Sequence, residues 1–177
     1  DTGKSLGINA PGLWRLSEER HSFHTPDLSS IVKNGFHALA YNETRVAYKP
    51  VLWETGEDYA GRVEQVWFPG THGDVGGQLG GHNVARPLSN IPLIWLLSRA
   101  QEAGLPLPQG WALRFPTDPL APSVGTFRGY GRVFMTRRKR KVGFDPSERL
   151  HESIEQRKAA RADKPGLIEQ LRLRWSA

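Results

Sequence analysis

Residues 61–82 have the sequence GRVEQVWFPGTHGDVGGQLGGH, and this segment indicates the fold class more strongly than any other. Its first part, residues 62–68, is rich in β-branched and aromatic residues and ends apolar, which predicts a strand buried on both faces of a sheet. Pro69 and Gly70 should end that strand. Because 6 of the 14 residues from 69 to 82 are glycine, we expect a tight loop after it, with backbone conformations closed to other residues.

A helix is predicted after the glycine-rich loop. Ser89 and Asn90 are suitable capping residues, and Gly104 is a suitable stop. Four apolar residues recur on one stripe between them: Leu93, Leu96, Leu97 and Ala100. The order of strand, loop and helix predicts an α/β fold with a partial sheet and flanking helices. In open α/β sheets ligands bind beyond the carboxyl ends of the strands, where this loop is expected.

The flanking segments predict further elements. The start at Pro26 and apolar residues at helical spacing predict an amphipathic helix over residues 26–41, followed by an extended run over 46–53. Residues 105–122 are rich in proline and predict irregular structure. A third helix is predicted over residues 146–162, because Asp145 and Glu148 match a capping box around Pro146. Its inward pair should be Leu150 and Ile154.

Composition excludes several classes of protein. The chain has 177 residues, 38% of them hydrophobic, which is typical of one globular domain. It has no cysteine, so a disulfide framework, a thiolate zinc site and a cysteine nucleophile are excluded. The longest apolar stretch, residues 91–97, is too short to span a bilayer. His21, His24 and His37 lack acids at matching spacing, so neither a metal nor another cofactor is expected.

Positive charge is concentrated near the C-terminus. The net charge is +6 overall, and residues 128–177 hold 14 Lys and Arg against 6 Asp and Glu. Five consecutive cations stand out: Arg137, Arg138, Lys139, Arg140 and Lys141. This run is either a solvated edge or a surface for anionic lipid or nucleic acid. Because no aromatic residue interrupts it, a specific nucleic-acid partner is not expected.

His72 is the strongest candidate for chemistry. It follows a predicted buried strand directly, and Asp74 lies two residues further on. An imidazole in that position is well placed to exchange protons near pH 7, although a loop histidine bonded to a backbone carbonyl has the same sequence pattern. Asp74 could orient His72 or bind a metal, but a carboxylate among glycines most often accepts backbone N–H groups of its own turn.

Four segments together resemble a known family. They are Asp1-Thr2-x-x-Ser5-Leu6-Gly7, residues 36–45 (FHALAYNETR), residues 50–53 (PVLW) and residues 66–77 (VWFPGTHGDVGG). In this order they resemble the bacterial and fungal α/β-hydrolase family typified by the phospholipase effectors of type VI secretion. The helix at 91–104 and residues 150–153 (LHES) continue the resemblance.

The resemblance implies hydrolysis of carboxylic esters, plausibly phospholipids, by a Ser-Asp-His triad. It places the triad acid at Asp1 and the base at His72, and it leaves Asp74 as a support for the loop. The family's serine lies upstream of the segment that begins at Asp1, so residues 1–177 are expected to be the C-terminal portion of one α/β-hydrolase domain, with residues 128–177 a basic, helix-containing extension. Ser5 lacks the preceding strand that a nucleophile elbow needs, so the chain alone is expected to be inactive. The alternative is a basic binding module for anionic membrane or nucleic acid.

Overall fold

A parallel sheet of three strands forms the centre of the computed structural model, which describes residues 28–29, 31–56 and 59–162. The strands are β1 (Asn34–Ala40), β2 (Arg62–Phe68) and β3 (Glu148–Leu150), in the order β1-β2-β3. Leu39 pairs with Trp67, and Trp67 pairs with Leu150. Because all three strands run the same way, their carboxyl ends meet at one edge.

Within the described residues, three α-helices accompany the sheet. They are α1 (His72–Gly76), α2 (Arg86–Glu102) and α3 (Glu152–Ala162). Short 3-10 helices cover Val46–Tyr48, Asn83–Ala85, Trp111–Arg114 and Gly129–Val133. In the described ranges no helix is both long and apolar enough to cross a membrane.

Both faces of the sheet are covered, as the apolar end of β2 predicts. On one face Val66 and Phe68 pack with Leu88, Ile91 and Trp95 of α2. On the other face Leu39 and Trp67 pack with Ile154 of α3. Full burial of each such side chain stabilises the fold by roughly 1.5–3 kcal/mol, so the two helices hold the central strand from opposite sides. The α/β class is therefore confirmed, and the observed sheet has three strands.

The prediction of a helix over residues 26–41 is wrong in the part that the structure describes, because residues 34–40 form the strand β1. Its apolar positions fit a helical period by coincidence, since a strand buried on both faces has no alternating pattern of its own. Gly35 lies against the Trp53 ring, where a Cβ atom would stand 3.1 Å from a ring carbon. The run predicted as extended over 46–53 also begins differently, as the 3-10 helix at Val46–Tyr48.

The helix predicted after the glycine-rich loop is confirmed as α2, but its buried stripe is not the predicted one. Leu93 and Leu96 are exposed, and the sheet instead receives Leu88, Ile91 and Trp95. The helix begins before the expected caps, so that Ser89 and Asn90 are buried inside it. The Asn90 side chain donates to the carbonyl of Pro116, at 2.8 Å.

The predicted end of α2 agrees with the structure, and the predicted start of the last helix does not. Gly104 has φ +103° just beyond α2, which confirms it as the stop. The helix predicted over 146–162 begins only at Glu152, and Leu150, expected inward, is 40% exposed at the end of β3. The capping bonds do form, because Glu148 accepts the Asp145 N–H at 2.9 Å, yet they close a turn that leads into a strand.

Candidate functional site at the carboxyl edge of the sheet

The carboxyl edge of the sheet gathers the segments that follow the three strands. Residues 41–45 follow β1, residues 69–76 follow β2, and His151 follows β3. The first two segments are tied together, because the N–H of Asn42 donates to the carbonyl of Gly70 and the Asn42 side chain accepts the Gly70 N–H in return, at 2.9 and 2.8 Å. This edge is where α/β sheets bind ligands.

His72 is the first residue of α1 and is partly buried at this edge. Its ring packs on the Tyr48 ring with centroids 4.8 Å apart. Burial is the main cause that lowers the pKa of His72 below its usual value; the Glu43 carboxylate acts in the opposite direction, and Arg140 and Arg45 add smaller lowering effects. The imidazole is therefore mostly neutral at pH 7, which is the form that can accept a proton.

Glu43 fixes the backbone at His72. Its carboxylate accepts the His72 N–H at 3.0 Å and binds the Arg45 guanidinium through both oxygens, at 2.8 and 2.7 Å. It also accepts the N–H groups of Thr44 and Arg45. Burial raises the pKa of Glu43, but the hydrogen bonds from Arg45 and His72 outweigh this and lower it to about 2. No role is predicted for Glu43 from the sequence, because residues 26–41 are predicted as a helix and the position of Glu43 and Arg45 just after a strand is therefore not recognised.

Asp74 supports the loop, as the most common reading of the pattern predicts. Its buried carboxylate accepts the N–H of Thr71 at 2.7 Å and that of Val124 at 2.9 Å. It also accepts the hydroxyls of Thr71 and Ser123. The amides bound are thus not those of the glycine turn itself, and one of them comes from 50 residues away. Gly70 makes room for this arrangement, because a Cβ atom there would stand 2.7 Å from the Asp74 Cβ.

His151 is a second imidazole at the same edge. Its ring packs on Phe68 with centroids 4.6 Å apart, and its Nδ1 lies 2.8 Å from the Ser153 hydroxyl. Because the Ser153 side chain is buried at the start of α3, this pair does not present a serine to a ligand. The N–H of Ser153 also points to Nδ1, at 3.3 Å, so the pair caps the helix.

The other predicted residues are not brought to the edge, or lie outside the described residues. Asp1, Ser5, His21 and His24 fall outside them. His37 is buried within β1 with its ring 5.1 Å from the Trp53 ring, and burial lowers its pKa to about 4. In the part of the chain that the structure describes, no group of three His, Asp or Glu residues could hold a metal ion.

Comparison with known proteins identifies the family. Residues 1–99 match the family described as "T6SS, Phospholipase effector Tle1-like, catalytic domain". The chain belongs to this family. No curated protein and no solved structure matches the chain. The matched range includes β1, β2, α1 and most of α2, and therefore Glu43, His72 and Asp74.

Membership in the Tle1-like phospholipase family supports a lipase-like or phospholipase-like function and implies a lipid substrate. The resemblance noted in the sequence is thus confirmed at the level of the family. β3, α3 and the basic run lie beyond residue 99, outside the matched range.

A shallow groove of the Tle1-like chain opens beside the carboxyl edge. The space between its walls, open solvent included, is about 260 Å³. One wall follows β1 and β2, and the other is the basic side of α3. The lining residues are Tyr41, Asn42, Pro69, Ile154, Arg157, Lys158 and Arg161.

The basic run divides into two sets of side chains. Arg137 donates to the carbonyls of Gly131 and Thr126, and Arg140 donates to the carbonyls of Ala40 and Tyr48. Burial lowers the pKa of Arg140 to about 10. The other three cations are exposed: Arg138, Lys139 and Lys141. The predicted five-residue cationic surface is therefore reduced to three side chains, because two arginines hydrogen-bond to backbone carbonyls.

Proposed function

We propose that this chain supplies the acid and the base of a Ser-Asp-His triad in a carboxylic ester hydrolase that acts on phospholipids. His72 is the base, Asp1 is the acid that orients it, and the serine lies outside residues 1–177. The domain is an α/β-hydrolase domain of which this chain is the C-terminal portion, with residues 128–177 as a basic extension. The observation that supports the proposal best is the position of His72 at the carboxyl edge, where its backbone N–H donates to the buried Glu43 carboxylate inside the matched range.

In the proposed reaction, His72 accepts the proton of the serine hydroxyl as the serine oxygen attacks the ester carbonyl carbon. The tetrahedral intermediate collapses with loss of the alcohol, which receives the proton from His72. Water then attacks the acyl-enzyme, again losing its proton to His72, and the carboxylic acid and free serine are formed. These steps require the neutral imidazole of His72. Because the pKa of His72 is lowered, the neutral form predominates down to pH values below 6.5, the usual pKa of histidine.

The test uses the parent protein, meaning the polypeptide that contains this chain and the serine. His72→Ala should lower kcat on a short-chain ester by about 10³-fold or more, because no other group takes the proton in its place. The matched control is His82→Ala, a second histidine of the glycine-rich segment, which should leave kcat unchanged.

Two further measurements complete this test. Asp1→Asn should also lower kcat strongly, since the triad acid holds the imidazole in the required tautomer. Residues 1–177 alone should show no turnover. If His72→Ala retained full activity, the triad assignment would be wrong, and turnover by residues 1–177 alone would indicate a nucleophile within the chain, with Ser5 the first to replace.

A second function, docking on an anionic membrane, is favoured by the surface around the basic run. We define the docking segment as residues 127–144, which contain seven Lys and Arg and no Asp or Glu. Several of its apolar side chains are exposed, namely Phe127, Val133, Met135 and Phe144. Cations beside exposed apolar side chains match a bilayer surface, where headgroup charge and acyl chains are close together. This function accompanies hydrolysis rather than replacing it.

Vesicle binding of the parent protein tests the docking segment. Replacing Arg138, Lys139 and Lys141 with glutamine should weaken binding to vesicles that contain phosphatidylglycerol by about 100-fold, at about 1 kcal/mol per cation. Binding should also weaken as salt rises, because surface charges are screened. The control replaces three exposed cations elsewhere with glutamine: Lys33, Arg86 and Arg114. Equal weakening by both triple variants would show an effect of net charge only and would contradict the docking segment.

A further inference from the structure

We propose that the groove between the carboxyl edge and α3 binds the phosphate group of the phospholipid substrate. This inference rests on the proposed function and adds to it a substrate subsite. A lipid headgroup and free phosphate would both offer the groove a negatively charged phosphate group. We assign the phosphate to the lipid. The residues that carry the inference lie on α3, outside the range matched to the family.

The cations of α3 are arranged for an anion. Arg157, Lys158 and Arg161 all line the groove, and none of its lining residues is acidic. In the described residues no carboxylate forms an ion pair with Arg157 or Arg161, whereas Lys158 contacts Glu155 at 2.7 Å. Two of the three charges thus have no carboxylate in ion-pair contact, although Asp74 and Asp118 act on Arg157 from a longer distance.

Arg157 is held in position before any ligand arrives. Its Nη1 donates to the carbonyls of Pro119 and Ala121 at 2.5 and 2.8 Å. Those bonds order the guanidinium, and within the described residues its Nε and Nη2 donate no hydrogen bond. A planar guanidinium with ordered geometry is a strong partner for phosphate oxygens. The Lys158 ammonium lies 5.7 Å from the centre of the Tyr41 ring, which keeps it on the groove side of the helix.

The groove adjoins the segments that carry the proposed base. Asn42 immediately precedes Glu43, whose carboxylate accepts the N–H of His72, and Pro69 lies three residues before His72. In a glycerophospholipid the phosphate and the ester carbonyls are separated only by the glycerol carbons. A phosphate in the groove therefore places the esters of the same molecule near the edge that holds His72.

The test compares two double variants of the parent protein. Lys158→Gln with Arg161→Gln removes two groove cations and leaves Arg157 with its carbonyl bonds. Lys33→Gln with Arg114→Gln removes two exposed cations elsewhere. The substrates are a soluble short-chain phosphatidylglycerol, whose only charge is its phosphate, and p-nitrophenyl butyrate, which is uncharged. The groove variant should raise KM for the phospholipid by about 10-fold, as expected for lost charge-assisted hydrogen bonds, and leave p-nitrophenyl butyrate unaffected.

A binding measurement separates this inference from the proposed function. Calorimetric titration with the same phosphatidylglycerol measures binding and does not require hydrolysis. It therefore tests the groove even if the parent protein cleaves neither substrate. An absence of cleavage would refute the proposed function but not this inference. Weaker lipid binding in the groove variant, but not in the control, supports the inference. Unchanged lipid binding and KM overturn it. If titration with inorganic phosphate depends on Lys158 and Arg161 while lipid binding does not, the groove is a site for free phosphate and the lipid assignment is wrong.

Discussion

The two ends of the sheet differ in the groups that bind their carboxylates: backbone N–H groups together with Arg45 at one end, and arginine side chains at the other. At the carboxyl edge Glu43 and Asp74 are 1% exposed and accept several backbone N–H groups. In the amino-terminal half of β2, the Glu64 carboxylate forms ion pairs with three arginines, Arg62, Arg99 and Arg149. The arginine side chains are exposed to varying degrees. The first arrangement fixes the path of the main chain, and the second ties long flexible side chains to one another.

This difference distinguishes the carboxyl edge, where the candidate site lies, from the end where the arginine partners of the carboxylates reach solvent. Backbone amides cannot move without the loop that carries them, so a carboxylate that binds them determines where His72 stands. Ion pairs between exposed side chains contribute little to stability, because water screens them and ordering the side chains costs entropy. Replacing acids at the two ends should therefore have very different effects.

The largest effect is expected for Asp74→Ala. Loss of the buried carboxylate leaves the N–H groups of Thr71 and Val124 without their acceptor. The free energy of unfolding should fall by about 4 kcal/mol, measured by urea denaturation of the parent protein. Asp118→Ala is the matched control, because the side chain of that exposed acid accepts a single backbone N–H group among the described residues, from Leu120. A loss no larger than that of the control would contradict the structural role of Asp74.

A smaller effect, with a defined dependence on pH, is expected for Glu43→Gln. The pKa of Glu43 is about 2 in the folded state against 4.5 unfolded, so its contribution is present above pH 4.5 and is lost as pH falls towards 2. This loss should be about 3 kcal/mol in the wild type and absent in Glu43→Gln.

The measurement for Glu43 is the difference in unfolding free energy between wild type and variant at a series of pH values. Glu54→Gln, which changes an exposed acid, should run parallel to the wild type over the same range. If the stability of Glu43→Gln had the same pH dependence as that of the wild type, the contacts of Glu43 would not stabilise its ionised carboxylate, and the prediction would be wrong.

The smallest effect is expected for Glu102→Gln at the other end. Glu102 contacts Arg62 at 2.9 Å and Arg99 at 2.6 Å, and both pairs are accessible to solvent. The urea midpoint should shift by no more than the error of the measurement, and high salt should remove any residual difference. A clear destabilisation would show that this network orders α2 and would weaken the contrast between the two ends.

Local sequence predicted the elements whose signals are local. Residues 62–68 form β2 because β-branched and aromatic residues end at Pro69-Gly70, and Gly104 ends a helix because of its positive φ. β1 was missed, because a strand covered on both faces lacks the alternation that distinguishes strands from helices. The turn before β3 has the hydrogen bonds of a helix start, and only pairing with β2 draws residues 148–150 into the sheet.

In the candidate site, too, local sequence predicted some features and long-range contacts decided others. The position of His72 after a buried strand was predicted, and the support given by Asp74 was predicted in kind. The bond from His72 to Glu43 joins residues 29 apart, and that from Val124 to Asp74 joins residues 50 apart. No local pattern specifies such pairs.

By itself the sequence determined the α/β class, the membership of the chain in the phospholipase family and the concentration of cations near the C-terminus. Only the tertiary structure decided which of those cations are exposed and what they face. Arg140 is turned inward because the carbonyls of Ala40 and Tyr48 lie within its reach, while Lys139 next to it is exposed. Charge is a property of the residue, but a partner for that charge depends on chain segments that only folding brings together.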